Sequence, residues 1–556
     1  MMNRTLACFA ASTLLPSAWV ASAFATEATE IRAMTIHDVR AFGATGDGQT
    51  LDTDAINRAI ERVHAAGGGT IYFPAGTYLS FSIRLKSNIT LHLGPGAVLR
   101  AADPAKHDGR YDMPEPTEFG AYQDFGHSHW RNSLIWGENL ENVSIVGPGL
   151  IDGTDALTRR GPGPRAAGGS GIGDMPESMR TARAASSTAT QPPRASFSME
   201  GQGNKAIALK LCRNVTLRDV SMLACGHFAL LATGVDNLTI DNVRVDTNRD
   251  GFDIDACRNV RISNCSVNSP NDDAICLKSS YALGFARACE NITIVNCQVT
   301  GYDLGSFLDG TFRRTQEIAP DRDGVTGRIK LGTESNGGFK NITIANCVFD
   351  RSRGLAIETV DGGVIEDIAV TNITMRDVTT SPIFIRLGNR ARGPEGTPVG
   401  AIRRVTISNV TASGVDHRYA SIIAGIAGHP IEDVTLSDIR ILYRGGGTTE
   451  DTAIEPPEKD RAYPEPSMFG TMPVYGLFVR HAKNLTVRNV TVAFESSEAR
   501  LAVWLQSVEG VRFDGFRAQR ADGVSVFQLR GVDDLRLRDV NDLPDLVRAR
   551  VENEKL

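Results

Sequence analysis

The chain has 556 residues and a formal net charge of −6, which leaves no electrostatic footprint for nucleic acid or an anionic membrane surface. Its length exceeds an ordinary domain several times over, so internal repeats are sought before domains are counted. Any grip on an acidic substrate has to be local.

The first residues read as an export signal. Met1 to Arg4 form a short basic segment, Thr5 to Val20 are mostly apolar or small, and Ala23, Phe24 and Ala25 have the small-x-small form of a cleavage site. A signal peptide over residues 1–25, cleaved after Ala25, predicts a secreted or periplasmic protein. Pro16 and Ser17 interrupt the apolar run, which is short for a membrane span. No twin arginine precedes it, and no later stretch resembles a membrane helix.

A glycine-rich turn, Ala41 to Gly48, leads into a helical pattern with Ala55, Ile56, Ala59, Ile60 and Val63 on one face. Asp52 or Thr53 is placed to cap it, and Gly67 to Gly69 end it. These glycines lack the spacing of a phosphate or dinucleotide loop. Thr70 to Tyr78 then read as strand, turn, strand.

From there one phrase recurs. It begins at Asn88, Asn142, Asn214, Asn237, Asn259, Asn291 and Asn341, then at Asp367, Arg404, Asp433 and Asn484, with worn copies at Gly510 and Asp534. Each start is followed by a short β-branched strand, and the tightest spacings are about 22 to 26 residues. A second column, Asn242, Asn264, Asn296, Asn346, Asn372, Asn409 and Asn489, falls in the turn after that strand. Asn accepts a left-handed turn at little cost, and stacked coils would let its amides bond in a ladder. Units this short and this rich in strand formers predict an all-β parallel β-helix, with the early helix covering its N-terminal end. The leucine spacing of a horseshoe repeat is absent. Cys265, Cys297 and Cys347 recur at one repeat position, which predicts stacked, buried thiols in place of bridges. No cysteine or histidine spacing suits a metal. Residues 26–556 are expected to form one domain with long loops at 154–203, 301–326 and 446–473, plus a shorter one at 389–400. The 154–203 insertion is glycine- and proline-rich and reads as a mobile loop. The 301–326 insertion is placed to wall the acidic cluster, and Tyr463 to Gly470 are placed to fold over the same face.

That cluster occupies two consecutive repeats. Asp250, Asp253 and Asp255 alternate with Phe252 and Ile254; Asp272 and Asp273 precede Ile275 and Leu277. A period of two sends apolar residues inward and acids outward. Aligning the inward residues stacks Phe252 and Ile254 on Ile275 and Leu277, then Ile329 and Leu331, then Leu355 and Ile357. Asp250 then neighbours Asp273, and the outward columns read Asp253, Cys276, Lys330, Ala356 and Asp255, Lys278, Gly332, Glu358. A single such acid would be read as a solvated surface group. Several in adjacent coils suit glycoside hydrolysis, in which one carboxyl donates a proton and another activates water or attacks; the same oxygens would also suit calcium.

Asn248, Asp250 and the paired Asp272 and Asp273, on a chain of β-helical repeats, resemble the signature of the polygalacturonase family of pectin-degrading glycoside hydrolases (family 28), in the pectin-lyase-like superfamily. The segment Val39 to Tyr78 resembles the N-terminal part of bacterial members. The resemblance implies a right-handed parallel β-helix, inverting hydrolysis and no cofactor, with Asp272 as general acid and Asp250 and Asp273 activating water. The family's Gly-His-Gly is absent from the matching stretch Thr326 to Glu334, and its Arg-Ile-Lys is replaced at Leu355 to Glu358. Arg328 and Lys330 are candidates for the cationic contact from one coil earlier, with Lys278, Glu358 and Arg386 as further substrate contacts. His127, His129 and His227 are candidates for the missing histidine. The substrate expected is a pectic polysaccharide or oligosaccharide. A neutral or rhamnogalacturonan-type linkage, a non-catalytic carbohydrate-binding protein and a polysaccharide lyase are the alternatives.

Overall fold

The computed structural model describes residues 36–123, 125–158 and 199–556. The predicted signal peptide and most of the 154–203 insertion lie outside the described residues. No helix among the described residues is long and apolar enough to cross a membrane.

Almost every strand pairs in parallel with the equivalent strand of the next coil, giving one continuous stack. The strands that carry the site are β1 (Phe228–Thr233), β2 (Asp250–Asp255), β3 (Ile275–Ser279), β4 (Ile329–Ser335), β5 (Leu355–Thr359) and β6 (Ile383–Leu387). Leu230, Phe252, Ile275, Ile329, Leu355 and Ile383 stand in one inward column. Each is buried, at roughly 1.5–3 kcal/mol per side chain removed from water. This repeated burial fixes the register, because a one-residue slip would turn every apolar side chain outward.

The Asn columns form the expected ladders. Asn237 Nδ2 donates to Asn214 Oδ1 at 3.0 Å and Asn341 Nδ2 to Asn291 Oδ1 at 2.8 Å. In the second column Asn372 Nδ2 donates to Asn346 Oδ1 at 3.0 Å. Asn214, Asn237, Asn264 and Asn346 all have φ between 55° and 58°, the left-handed region that Asn tolerates better than most residues. The eight cysteines from Cys212 onward are buried and free. The thiols of Cys265, Cys297 and Cys347 donate to carbonyls two residues back at 3.1, 3.3 and 3.3 Å.

The N-terminal helix α1 (Thr53–Ala65) buries Ala55, Ile56, Ala59, Ile60 and Val63. Asp52 stands at its N-cap without capping it; the carboxylate instead accepts from the backbone N–H groups of Thr45 and Gly46 at 2.7 and 3.1 Å. At the other end Leu546–Lys555 runs antiparallel to Phe527–Arg538, so the last parallel edge is paired.

The predicted register holds from Phe252 to Ile357 except at one place. Between Leu277 and Ser279 on β3, the partners on β4 jump from Leu331 to Ser335. Two extra residues bulge out there, so Glu334, and not Gly332, comes to lie beside Lys278.

Candidate active site

The inward column forces Asp253 and Asp255 to the outer face of β2, yet every residue of that strand is buried. The surrounding loops cover it, so its charges need partners. Asp255 accepts from Ser280 N and Ser280 Oγ, both at 2.7 Å. Burial pushes its carboxyl up to about 6, with the Ser280 bonds opposing. Asp255 is a structural acid that pins the turn after β3. Asp253 meets His127 Nε2 at 3.0 Å and Lys278 Nζ at 3.4 Å.

Asp250, Asp272 and Asp273 come together, with one carboxylate oxygen from each lying within 4.8 Å of the others. Their surroundings differ. Asp250 is 2 % exposed, and its Oδ1 has no hydrogen-bond partner among the described residues. Burial, reinforced by the charge of Asp272, pushes its carboxyl well above the usual range. Asp272 is partly exposed; its Oδ1 accepts from Asp273 N at 3.1 Å, and its Oδ2 pairs with Arg249. Asp273 is buried and takes Arg328 Nε at 2.7 Å and Lys330 Nζ at 3.3 Å. Burial alone would raise it, but Lys330 and Arg328 outweigh burial and hold the carboxyl well below the usual range. Asp250 and Asp273 are therefore pushed in opposite directions, which is the condition for acid–base work by a carboxyl group. Chelation of calcium is disfavoured because two cations already take the oxygens of Asp273.

The cations predicted to hold substrate are engaged by the protein. Lys278 pairs with Asp253 and with Glu334 Oε2 at 3.1 Å, and Glu334 also pairs with Arg392. Lys278 and Arg392 outweigh burial and keep Glu334 well below the usual range. Arg328 gives its other guanidinium edge to both oxygens of Glu465. Lys330 reaches Glu358 Oε2 at 3.8 Å and Tyr463 Oη at 3.3 Å, with its Nζ 5.4 Å from the Tyr463 ring centre. Arg353 is held at both ends by Asp321, at 2.7 Å each, and lies 3.5 Å from Glu465.

Two expected substrate contacts are corrected. Arg386 does not face the groove. It is 1 % exposed, and its guanidinium donates to the carbonyls of Ala424, Gly425, Glu458 and Lys459 at 2.9–3.3 Å. Burial without a paired carboxylate brings it down to about 10. It ties the 446–473 loop to the sheet. Glu358 is fully buried, and neither of its oxygens has a hydrogen-bond partner among the described residues. Burial pushes it up to about 8 against the pull of Lys330 and Arg328.

The 446–473 loop folds over this face as its sequence indicated. Its Met468, Phe469 and Met472 pack with Phe384, Ile422, Phe478 and Trp504 from the outer face of successive coils. Arg480 donates to the carbonyls of Pro456 and Pro457 at 2.8 and 3.3 Å, a second tie beside Arg386. The 301–326 loop supplies Asp321, which walls the site through Arg353. Of the three candidate histidines, His227 stands nearest the acids, with Nε2 4.0 Å from Asp250 Oδ2 and its ring stacked on Phe228 at 4.0 Å between centres. It precedes Phe228, the residue paired with Asp250 across β1 and β2, so it approaches from the coil before the acids. His127 serves Asp253. His129 Nδ1 faces the carbonyl of Glu115 at 2.7 Å.

Three family models match successive parts of the chain: "Rhamnogalacturonase A/epimerase, pectate lyase-like" over residues 36–118, "Right handed beta helix region" over 194–312 and "Glycosyl hydrolases family 28" over 330–460. A probable polygalacturonase of Vitis vinifera is 27% identical over 422 residues, covering 72% of this chain and 73% of the relative. Residues 330–460 match the glycoside hydrolase family 28 model, and these likenesses support a member of that pectin-lyase-like family. The chain is a right-handed parallel β-helix and a glycoside hydrolase. The fold agrees with two solved structures. The exopolygalacturonase of Thermotoga maritima has a TM-score of 0.52 at 18% identity, covering 94% of this chain and 96% of the other. The family 28 exopolygalacturonase of Yersinia enterocolitica has a TM-score of 0.54 at 16% identity, covering 92% and 79%. These likenesses favour the hydrolase over the binding-module alternative.

Proposed function

We propose that this protein is an exported hydrolase of pectic polysaccharide or oligosaccharide, and that Asp250, Asp272 and Asp273 carry the reaction. The observation that carries the reading is the convergence of these three acids within 4.8 Å, on a chain of the pectin-degrading family. The site holds a proton beside Asp250, because burial and the neighbouring charge of Asp272 disfavour ionising Asp250. Asp272 stands at the exposed rim and donates that proton to the leaving oxygen. Asp250 then accepts a proton from water, and Asp273 stays ionised behind its cations, fixing the field of the pair. His227 positions Asp250 from the preceding coil.

Spacing alone does not carry inversion, since carboxyls about 5–5.5 Å apart are typical of retaining enzymes. What supports inversion is access. A retaining nucleophile needs an ionised oxygen that reaches the anomeric carbon. Asp273 has its oxygens on Arg328 and Lys330, and Asp250 is too deeply buried to touch a sugar except through water. The segment up to Ala25 supports export, and sequencing the N-terminus of the processed protein tests it.

The test of the activity is product analysis on a panel of pectic oligosaccharides with the unaltered protein and with Asp272→Asn. Release of new reducing ends that Asp272→Asn abolishes, with the fold intact, is the expected result. Full activity in that variant would remove the assignment.

A further inference from the structure

The charges around the three acids point to the sugar that fits beside them. Among the described residues, each cation near the acids is already matched by a carboxylate of the chain. Arg249 pairs with Asp272, Lys278 with Asp253 and Glu334, and Arg392 with Glu334. Arg328 pairs with Asp273 and Glu465, Lys330 with Asp273 and Glu358, and Arg353 with Asp321 and Glu465. Arg390 pairs with Asp361.

Glu465 decides the matter for Arg328. Its two oxygens take the two terminal nitrogens of the guanidinium, the fork geometry by which arginine receives any free carboxylate. A sugar carboxylate seeking Arg328 would find that place filled by a group of its own kind. Glu465 is also not on a loose strap. The residues on either side of it are fixed, by the carbonyls of Glu458 and Lys459 on Arg386 and by the packing of Pro466, Met468 and Phe469. Displacing it would leave a mostly buried carboxylate with only the more distant Arg353, at 3.5 Å. Lys330, the other candidate cation, is capped by Tyr463 and shared between Asp273 and Glu358.

We propose that the subsite beside Asp250 and Asp272 takes an uncharged sugar of a pectic chain, and that Glu465 is the residue that excludes a free uronate there by occupying Arg328. The assignment rests on the hydrolase reading above. Two kinds of pectic unit share this chemistry: a sugar without a carboxyl group, and a galacturonate whose carboxyl is esterified. Free uronates elsewhere along the chain are compatible with it.

The experiment measures kcat/KM on three sets of short pectic oligosaccharides of equal length: those ending in a neutral sugar, fully methyl-esterified oligogalacturonides, and unesterified oligogalacturonides. Either uncharged set is expected to exceed the unesterified set by roughly a hundredfold or more, the penalty of placing an unmatched charge in a buried site. Which uncharged set is cleaved identifies the source. Glu465→Gln, which releases Arg328, is expected to narrow the preference by about tenfold. Because that variant also disturbs the loop, competition on the unaltered protein is the second measurement: an uncharged monosaccharide should inhibit at lower concentration than free galacturonate. Comparable kcat/KM on unesterified oligogalacturonides, or stronger inhibition by galacturonate, would overturn the subsite assignment and leave the hydrolase reading standing. Turnover of none of the three sets would overturn the hydrolase reading, and this assignment with it.

Discussion

Arg328 Nε donates to Asp273 Oδ1 at 2.7 Å while the far edge of the same guanidinium holds Glu465. One buried cation thereby joins a candidate catalytic acid to a loop 137 residues further along the chain.

Removing that cation should be felt twice. Arg328→Met leaves Asp273 with Lys330 alone and Glu465 with only the more distant Arg353. Breaking a buried pair from one side costs about 3–5 kcal/mol, so thermal unfolding should shift downward clearly. Activity should fall with it, because the carboxyl of Asp273 rises when the cation that depresses it is gone. An unfolding temperature equal to that of the unaltered protein would refute the link.

The division of labour between Asp272 and Asp250 predicts a leaving-group signature. Loss of a general acid typically costs about 10²–10⁴-fold in rate, and least where the leaving group needs no proton. Asp272→Asn should therefore retain more of its activity on an activated aryl glycoside than on an oligosaccharide. Asp250→Asn should lose both alike. The reverse pattern would exchange the two roles.

The anomeric form of the first product is accessible by proton NMR during the opening minutes of the reaction. Inversion is expected, from the inaccessibility of Asp250 and the occupied oxygens of Asp273. A product that keeps the configuration of the substrate would require one of the acids to reach the sugar directly.

Stability should depend on pH through Glu358. Burial raises its folded-state pKa to about 8, so between the ordinary carboxyl range and about 8 the folded chain binds a proton that the unfolded chain has released. Its contribution is complete below the ordinary carboxyl range and is lost as pH rises toward about 8. Asp273 acts with the opposite sign. Its depressed carboxyl contributes above the ordinary range, and that contribution is lost on acidification. In an unfolding series, Glu358→Gln should flatten the decline on the alkaline side and leave the acid limb in place. An unchanged alkaline limb would count against the titration of Glu358.

The ladders give a test away from the site. Asn259, at φ 55°, donates to Asn237 at 3.3 Å and accepts from Asn291 at 3.2 Å. Asn259→Ala adds left-handed strain of about 1–2 kcal/mol and removes bonds worth roughly 1 kcal/mol each. Asn259→Gly removes the bonds without the strain. Chemical unfolding should rank the two in that order, with glycine the milder.

Much of this molecule was legible in the order of its residues. The inward pairs Phe252 and Ile254, Ile275 and Leu277, Ile329 and Leu331, and Leu355 and Ile357 recur with the same spacing in successive repeats. Burial of one face leaves a single register that stacks them, and that register brings Asp250 to Asp273. The ladders were legible for a related reason, since a residue suited to a left-handed turn recurs once per coil. The bulge between Leu331 and Ser335 was not. A two-residue excess in one strand leaves no mark on an alternating pattern when Gly332 and Thr333 can sit in it, so alternation alone puts Gly332 beside Lys278 where the fold has Glu334.

The sequence by itself determined the coil, its register and the meeting of the three acids, because each depends on residues one repeat apart whose positions the core dictates. Only the tertiary structure decided which cations remained for a substrate. Arg328 and Lys330 stand on the outer face, as expected. Their fates are set by Glu465 and Tyr463, which arrive on a loop more than 130 residues distant and whose position is governed by Arg386, Arg480 and an apolar patch. Charge pairing of that kind acts through space and has no period along the chain.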